Sequence, residues 1–126
     1  MPLPRVSNRP LSEYKKLLRI DWDYSSTGIW AIKEPLQKYA GGNVEYASLN
    51  LPNWLVDRFN YWTQWLESSE SWNGHEEPDG ILISAYKLSL AIDLKRVLGD
   101  DYYVECSGRE IHDDKAYLRQ KYFPTI

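Results

Sequence analysis

A chain of 126 residues, 43% hydrophobic and 26% charged, has room for one ordinary core, which excludes a second domain of useful size and a chain disordered by composition. Seven glycines, seven prolines and the single Cys106 exclude collagen-like or low-complexity sequence, an intramolecular disulfide framework and a multi-cysteine metal site. A formal net charge of −3 argues against sequence-independent nucleic-acid binding, which depends on neutralising phosphates with Lys and Arg.

Pro2, Pro4, Ser7, Asn8 and Pro10 predict a loose, extended arm over residues 1–10, with one globular domain over 11–126. In residues 17–24, Leu18, Ile20, Trp22 and Tyr24 alternate with Leu17, Arg19, Asp21 and Asp23. That period of two predicts a half-buried strand, with Asp21 and Asp23 on one face flanking Trp22. Residues 25–28 (Ser-Ser-Thr-Gly) predict a turn, and 29–32 a returning strand that completes a hairpin. Pro35 limits that strand, and Gly41-Gly42-Asn43 breaks the chain again. Residues 44–47 are open to a short third strand or a loop.

Residues 51–68 predict a helix, with Asn50 as N-cap and Pro52 in the first turn. Leu55, Phe59, Trp62 and Leu66 form one apolar stripe. Trp54, Arg58, Tyr61 and Trp65 form a second stripe, within about 60° of one another at ~100° per residue. Residues 69–79 are polar, acidic and helix-breaking, and predict an exposed loop carrying Trp72. Asp79 caps the next predicted helix, 80–98, and Gly99 ends it. Ten apolar residues leave that helix little polar arc, so it is expected to be mostly buried at the centre of the core. Tyr102, Val104 and Cys106 alternate through a further strand, 102–106, and residues 112–122 predict a short charged helix. The order of elements points to an α+β domain: a small, largely antiparallel sheet packed against two long helices.

Charge is unevenly distributed. Residues 1–20 carry five basic residues and one acid, residues 51–80 carry six acids and one base, and residues 97–114 repeat that six-to-one excess. If the two acidic blocks meet in space, they form an acidic face that steers a basic partner; otherwise they are solvated surface. The start of the chain lacks the apolar core of a signal peptide, and no run approaches the ~18 apolar residues of a membrane span. With a lone cysteine, the expected compartment is the cytoplasm.

Asp21 and Asp23 are the sole paired carboxylates with an aromatic between them. Such a pair serves as acid and base, as cation ligands, or, beside Trp22, as a sugar site; the bland alternative is a solvent-facing strand edge paired with Arg19. His75 and His112 each sit beside acids but lack the spacing of a metal site, so neither a metal nor any other cofactor is expected. Cys106, in an alternating strand, reads as a packed small hydrophobe rather than a nucleophile. There is no G-x-S-x-G, Walker A or G-x-G-x-x-G pattern. The distinctive feature is six Trp, ten Tyr and two Phe, more than a core of this size easily absorbs, and such residues concentrate in binding hot spots. Trp65, Glu67, Glu70, Trp72, Glu76, Glu77 and Asp79 combine aromatic and acidic groups within fifteen residues. They are the first candidate for a partner-binding surface, with Asp21 and Asp23 second.

Three segments, 18–30 (LRIDWDYSSTGIW), 51–65 (LPNWLVDRFNYWTQW) and 94–105 (LKRVLGDDYYVE), resemble in style and order the small bacterial immunity proteins that accompany contact-dependent growth-inhibition and other polymorphic toxins. The resemblance spans most of residues 17–106 and carries no catalytic signature. It implies a non-enzymatic cytoplasmic antidote that binds a cognate toxin domain with a basic surface, such as a nuclease, and blocks its active site. It implies neither a nucleic-acid nor a membrane partner. Two other classes stay open: a carbohydrate or small-molecule binding domain using exposed Trp and the paired Asp residues, and a small hydrolase using the same carboxylates.

Overall fold

The computed structural model describes residues 9–23, 25–68 and 80–112. Strand β1 (Lys16–Ile20) is followed by β2 (Ile29–Ile32), helices α1 (Asn53–Ser68) and α2 (Gly80–Leu98), then β3 (Tyr102–Cys106) and the short β4 (Arg109–Glu110). Single 3-10 turns occupy Leu11–Glu13 and Tyr46–Leu49. The strands form one sheet in the order β2-β1-β3-β4. The β1–β2 and β3–β4 pairs are antiparallel, whereas the central β1–β3 pair is parallel. Parallel neighbours need a long crossover, and here the crossover contains both helices. The α+β class expected from the sequence is the class observed, with a mixed sheet.

Alternation along β1 decides what each face of the sheet meets. Leu18 and Ile20 turn toward the helices, beside Ala31 and Ile29 of β2 and Val104 and Cys106 of β3. From α1, Leu55, Phe59, Trp62 and Leu66 meet them, all but sealed from solvent, so the first stripe is the core stripe. Each such side chain contributes roughly 1.5–3 kcal/mol by burial. Trp62 is the largest, and its indole N–H has no hydrogen-bond partner among the described residues. Leu90, Ala91 and Leu94 of α2 close the layer. Cys106 is packed here as a small hydrophobe, and burial pushes its thiol pKa up.

The second stripe of α1 is split between solvent and its neighbour helix. Trp54 and Tyr61 are exposed, Tyr61 stacks on Tyr86 of α2, and Arg58 pairs with Asp93 and donates to Ser89.

Three local expectations need correction. β1 ends at Ile20, so Asp21 and Asp23 lie beyond the strand rather than on one of its faces. The cause is turn chemistry: Ser26 N–H and Oγ–H both donate to the Asp23 carbonyl, and Ser25 and Gly28 adopt positive φ of 59° and 85°. Asn50 is not the N-cap of α1; it adopts the left-handed conformation that ends the preceding 3-10 turn. The first acceptor of α1 is the Pro52 carbonyl, which takes N–H groups from Leu55 and Val56. Of the two alternatives left open for residues 44–47, no strand forms: Asn43 makes a single bridge to Trp30, and a 3-10 turn begins at Tyr46. Helix α2 is buried mainly in its second half: Leu82, Ser84 and Ala85 are exposed, since the sheet beneath is only five residues long per central strand. Gly99 ends α2 as expected, at φ 78° with its N–H on the Lys95 carbonyl. The expected loop 69–79 lies outside the described residues, and so does all of the expected helix 112–122 beyond His112.

Candidate functional site

The other face of the sheet carries the most enclosed charge among the described residues. Arg19 and Glu105 are register partners on β1 and β3, and Arg19 Nε donates to Glu105 Oε2 at 2.7 Å. Glu105 is only 2% exposed. Its second oxygen accepts from the Leu36 N–H at 2.8 Å and the Tyr103 hydroxyl at 3.1 Å. Arg19 also donates to the Gln37 carbonyl at 2.5 Å. A buried carboxylate is tolerated only when its lone pairs are satisfied, and this one recruits a loop to do so. Leu36 takes a φ of 59° to deliver its N–H. Gln37 in turn accepts from the N–H groups of Lys33 and Glu34. At the loop's far end, Gly41 donates to the Ala31 carbonyl at 2.6 Å, and a Cβ on Gly41 would sit 2.8 Å from that oxygen. Only glycine permits this approach.

The loop so fastened walls an open cleft of about 290 Å³ against the end of β1. Trp22, Trp30 and Tyr39 are its aromatic members; Asp21, Asp23, Arg19 and Lys38 supply its charged groups. Trp30 Nε1–H donates to the Asp21 carbonyl at 3.0 Å, which fixes the ring. Asp21 Oδ1 accepts from the Trp22 N–H at 2.9 Å and lies 3.6 Å from Lys87 Nζ of α2. Its partner is therefore Lys87 and not Arg19.

The same turn is tied to α1. Ser25 N–H donates to Glu67 Oε1 at 2.7 Å. Asp21 and Asp23 thus share one end of the domain with Glu67, more than forty residues later in sequence, and Trp65, two residues before Glu67, is half-buried against the core. Glu70, Trp72, Glu76, Glu77 and Asp79 lie outside the described residues, as does His75.

The single acidic face does not form from the described residues. Asp100 and Asp101 sit where β3 begins, at the opposite end of the parallel strands from Asp21. There Arg9 donates to the Asp100 carbonyl and approaches Asp101 at 3.4 Å, while Lys15 lies 3.8 Å from Asp101. Arg9, in the expected N-terminal arm, is thereby anchored. Glu105 is buried, and Glu110 lies 3.2 Å from His112 Nε2. Among the described residues, no three His, Cys, Asp or Glu side chains converge as a metal site would require, and no helix is long and apolar enough to cross a membrane.

Sequence reasoning missed Trp30, Lys38 and Tyr39 as site residues. Tyr39 is 74% exposed, yet nothing in its neighbours marks it, because its position depends on a bond between Leu36 and a carboxylate 69 residues away. No protein-family model matches the chain, and no curated protein matches its sequence.

Proposed function

We propose that this chain is a non-enzymatic cytoplasmic immunity protein that neutralises a cognate toxin domain through its acidic, aromatic end. The carrying observation is the Glu67–Ser25 bond at 2.7 Å. It fastens the turn bearing Asp21 and Asp23 to the last turn of α1. Glu67, the described member of the first set of acids, therefore shares a surface with Asp21 and Asp23, and residues 69–79 follow it in sequence. Asp21 and Asp23 are balanced around the cleft by Lys87 and Lys38, so the excess acid lies in Glu67 and the acidic sequence 69–79; it favours a partner with a basic surface, as in a nuclease substrate cleft, and accelerates encounter with it. The part-exposed Trp22 and Trp30 and the exposed Tyr39 add the large, stiff contact area on which tight interfaces rely. Blocking the toxin's active site is the mode of action we assign.

The test is a growth rescue. The C-terminal region of the protein encoded immediately upstream is expressed in a naive bacterial host, with and without this chain. Growth arrest relieved by this chain, with co-purification of the pair, is the expected result. A toxic neighbour that this chain neither relieves nor binds contradicts the reading.

A further inference from the structure

We infer that the cleft between the end of β1 and the loop around Tyr39 is a binding site for a single neutral sugar ring. Its walls and its charge balance point the same way. Trp22, Trp30 and Tyr39 surround one cavity, and Tyr39 is the most exposed large hydrophobic residue among those described. An aromatic face left in water is costly unless an apolar surface covers it, and the C–H face of a pyranose is such a surface. Charged groups of both signs line the cleft in equal number: Arg19, held by Glu105; Asp21, held by Lys87; Asp23; and Lys38, whose Nζ lies 5.3 Å from the Tyr39 ring centroid. A site without net charge has little to hold an ionic ligand against its hydration. Hydroxyl groups, each both donor and acceptor, match a wall that offers carboxylate acceptors and an ammonium donor together. The cavity of about 290 Å³ is at the small end for ligand sites, so it suits one ring rather than a chain. The cleft is also built in advance: Trp30 is fixed by its bond to the Asp21 carbonyl, and the loop by Glu105, Arg19 and Gly41. Preorganisation of this kind is what a small ligand needs, since it has few atoms with which to order a loop.

The test titrates the full chain with methyl glucoside, methyl galactoside and N-acetylglucosamine to roughly 50 mM, above the millimolar Kd expected of so small a contact. Binding is read from the Trp30 indole N–H resonance, assigned with Trp30→Phe. At least one sugar should give a saturable shift that persists in about 0.5 M salt, where exposed charge interactions are screened. Tyr39→Ala and Asp23→Asn should each weaken it by tenfold or more while leaving the unfolding midpoint in place. Absence of a saturable shift with all three sugars overturns the inference. So does a shift that Tyr39→Ala leaves intact, or a salt-sensitive shift produced by arginine amide instead. None of these outcomes depends on whether the chain rescues growth.

Discussion

Replacing Glu105 by Ala should cost more than any other single polar substitution among the described residues. The carboxylate is 2% exposed and accepts from Arg19 Nε, the Leu36 N–H and the Tyr103 hydroxyl. Its removal leaves the Arg19 side chain, 16% exposed, with the Gln37 carbonyl as its remaining acceptor. It also removes the carboxylate oxygen that accepts from the Leu36 N–H and the Tyr103 hydroxyl. Breaking one side of a buried ion pair costs about 3–5 kcal/mol. That is a large part of the roughly 5–15 kcal/mol holding a domain of this kind. With a urea slope of about 2 kcal/mol per molar, the midpoint should fall by roughly 2 M. Glu105→Gln keeps one acceptor oxygen and should cost less. The double variant Arg19→Met/Glu105→Leu removes both charges and should regain much of the loss, because the pair's desolvation cost disappears with it. Urea unfolding followed by Trp fluorescence gives all three values. A midpoint shift for Glu105→Ala below about 0.5 M would refute the reasoning, since it would mean that the carboxylate is not the acceptor on which the loop depends.

Two further perturbations follow from the core and its edge. Gly28→Ala meets both a positive φ of 85° and a Cβ placed 3.0 Å from the Trp62 ring; strain and overpacking together should cost about 2–4 kcal/mol, read as a lower urea midpoint. Tyr46 donates its hydroxyl to the Thr27 carbonyl at 2.7 Å, and burial, with the Glu45 charge second, raises its pKa from 10.0 to about 12. The neutral phenol is therefore favoured in the fold: its contribution is whole below pH 10 and is lost as pH rises toward 12. Midpoints measured across that window should fall more steeply for the parent chain than for Tyr46→Phe.

Local pattern carried the fold further than it carried the site. The stripe Leu55, Phe59, Trp62 and Leu66 announced the buried face of α1, because burial on one face imposes a fixed period, and the alternation of Tyr102, Val104 and Cys106 announced β3, although that strand is buried on both faces. Gly99 marked the end of α2 for the same local reason. The parallel pairing of β1 with β3 left no such mark: an alternating strand reads alike in either direction. Asp21 and Asp23 were misplaced onto a strand because Trp22 and Tyr24 continue the alternation in sequence past Ile20, where the strand ends ahead of the turn that Ser26 closes onto the Asp23 carbonyl. Glu105 looked like part of an acidic block and is instead the hidden partner of Arg19, a pairing set by strand register alone. The cleft was half legible: Asp21, Asp23 and Trp22 stood out as a triplet, whereas Trp30 and Tyr39 join them through contacts that span the sheet.

The central claim, that the acidic end of this domain engages a basic partner, is tested most directly by the association rate of the purified pair. The rate is measured by stopped-flow Trp fluorescence against ionic strength, for the parent chain and for a variant carrying Asp23→Lys, Glu70→Lys and Glu76→Lys. A rate that falls steeply with salt, and is slower by tenfold or more in the variant, is predicted from the loss of steering. Failure of the parent chain to bind, or a rate indifferent to both salt and charge reversal, would contradict it.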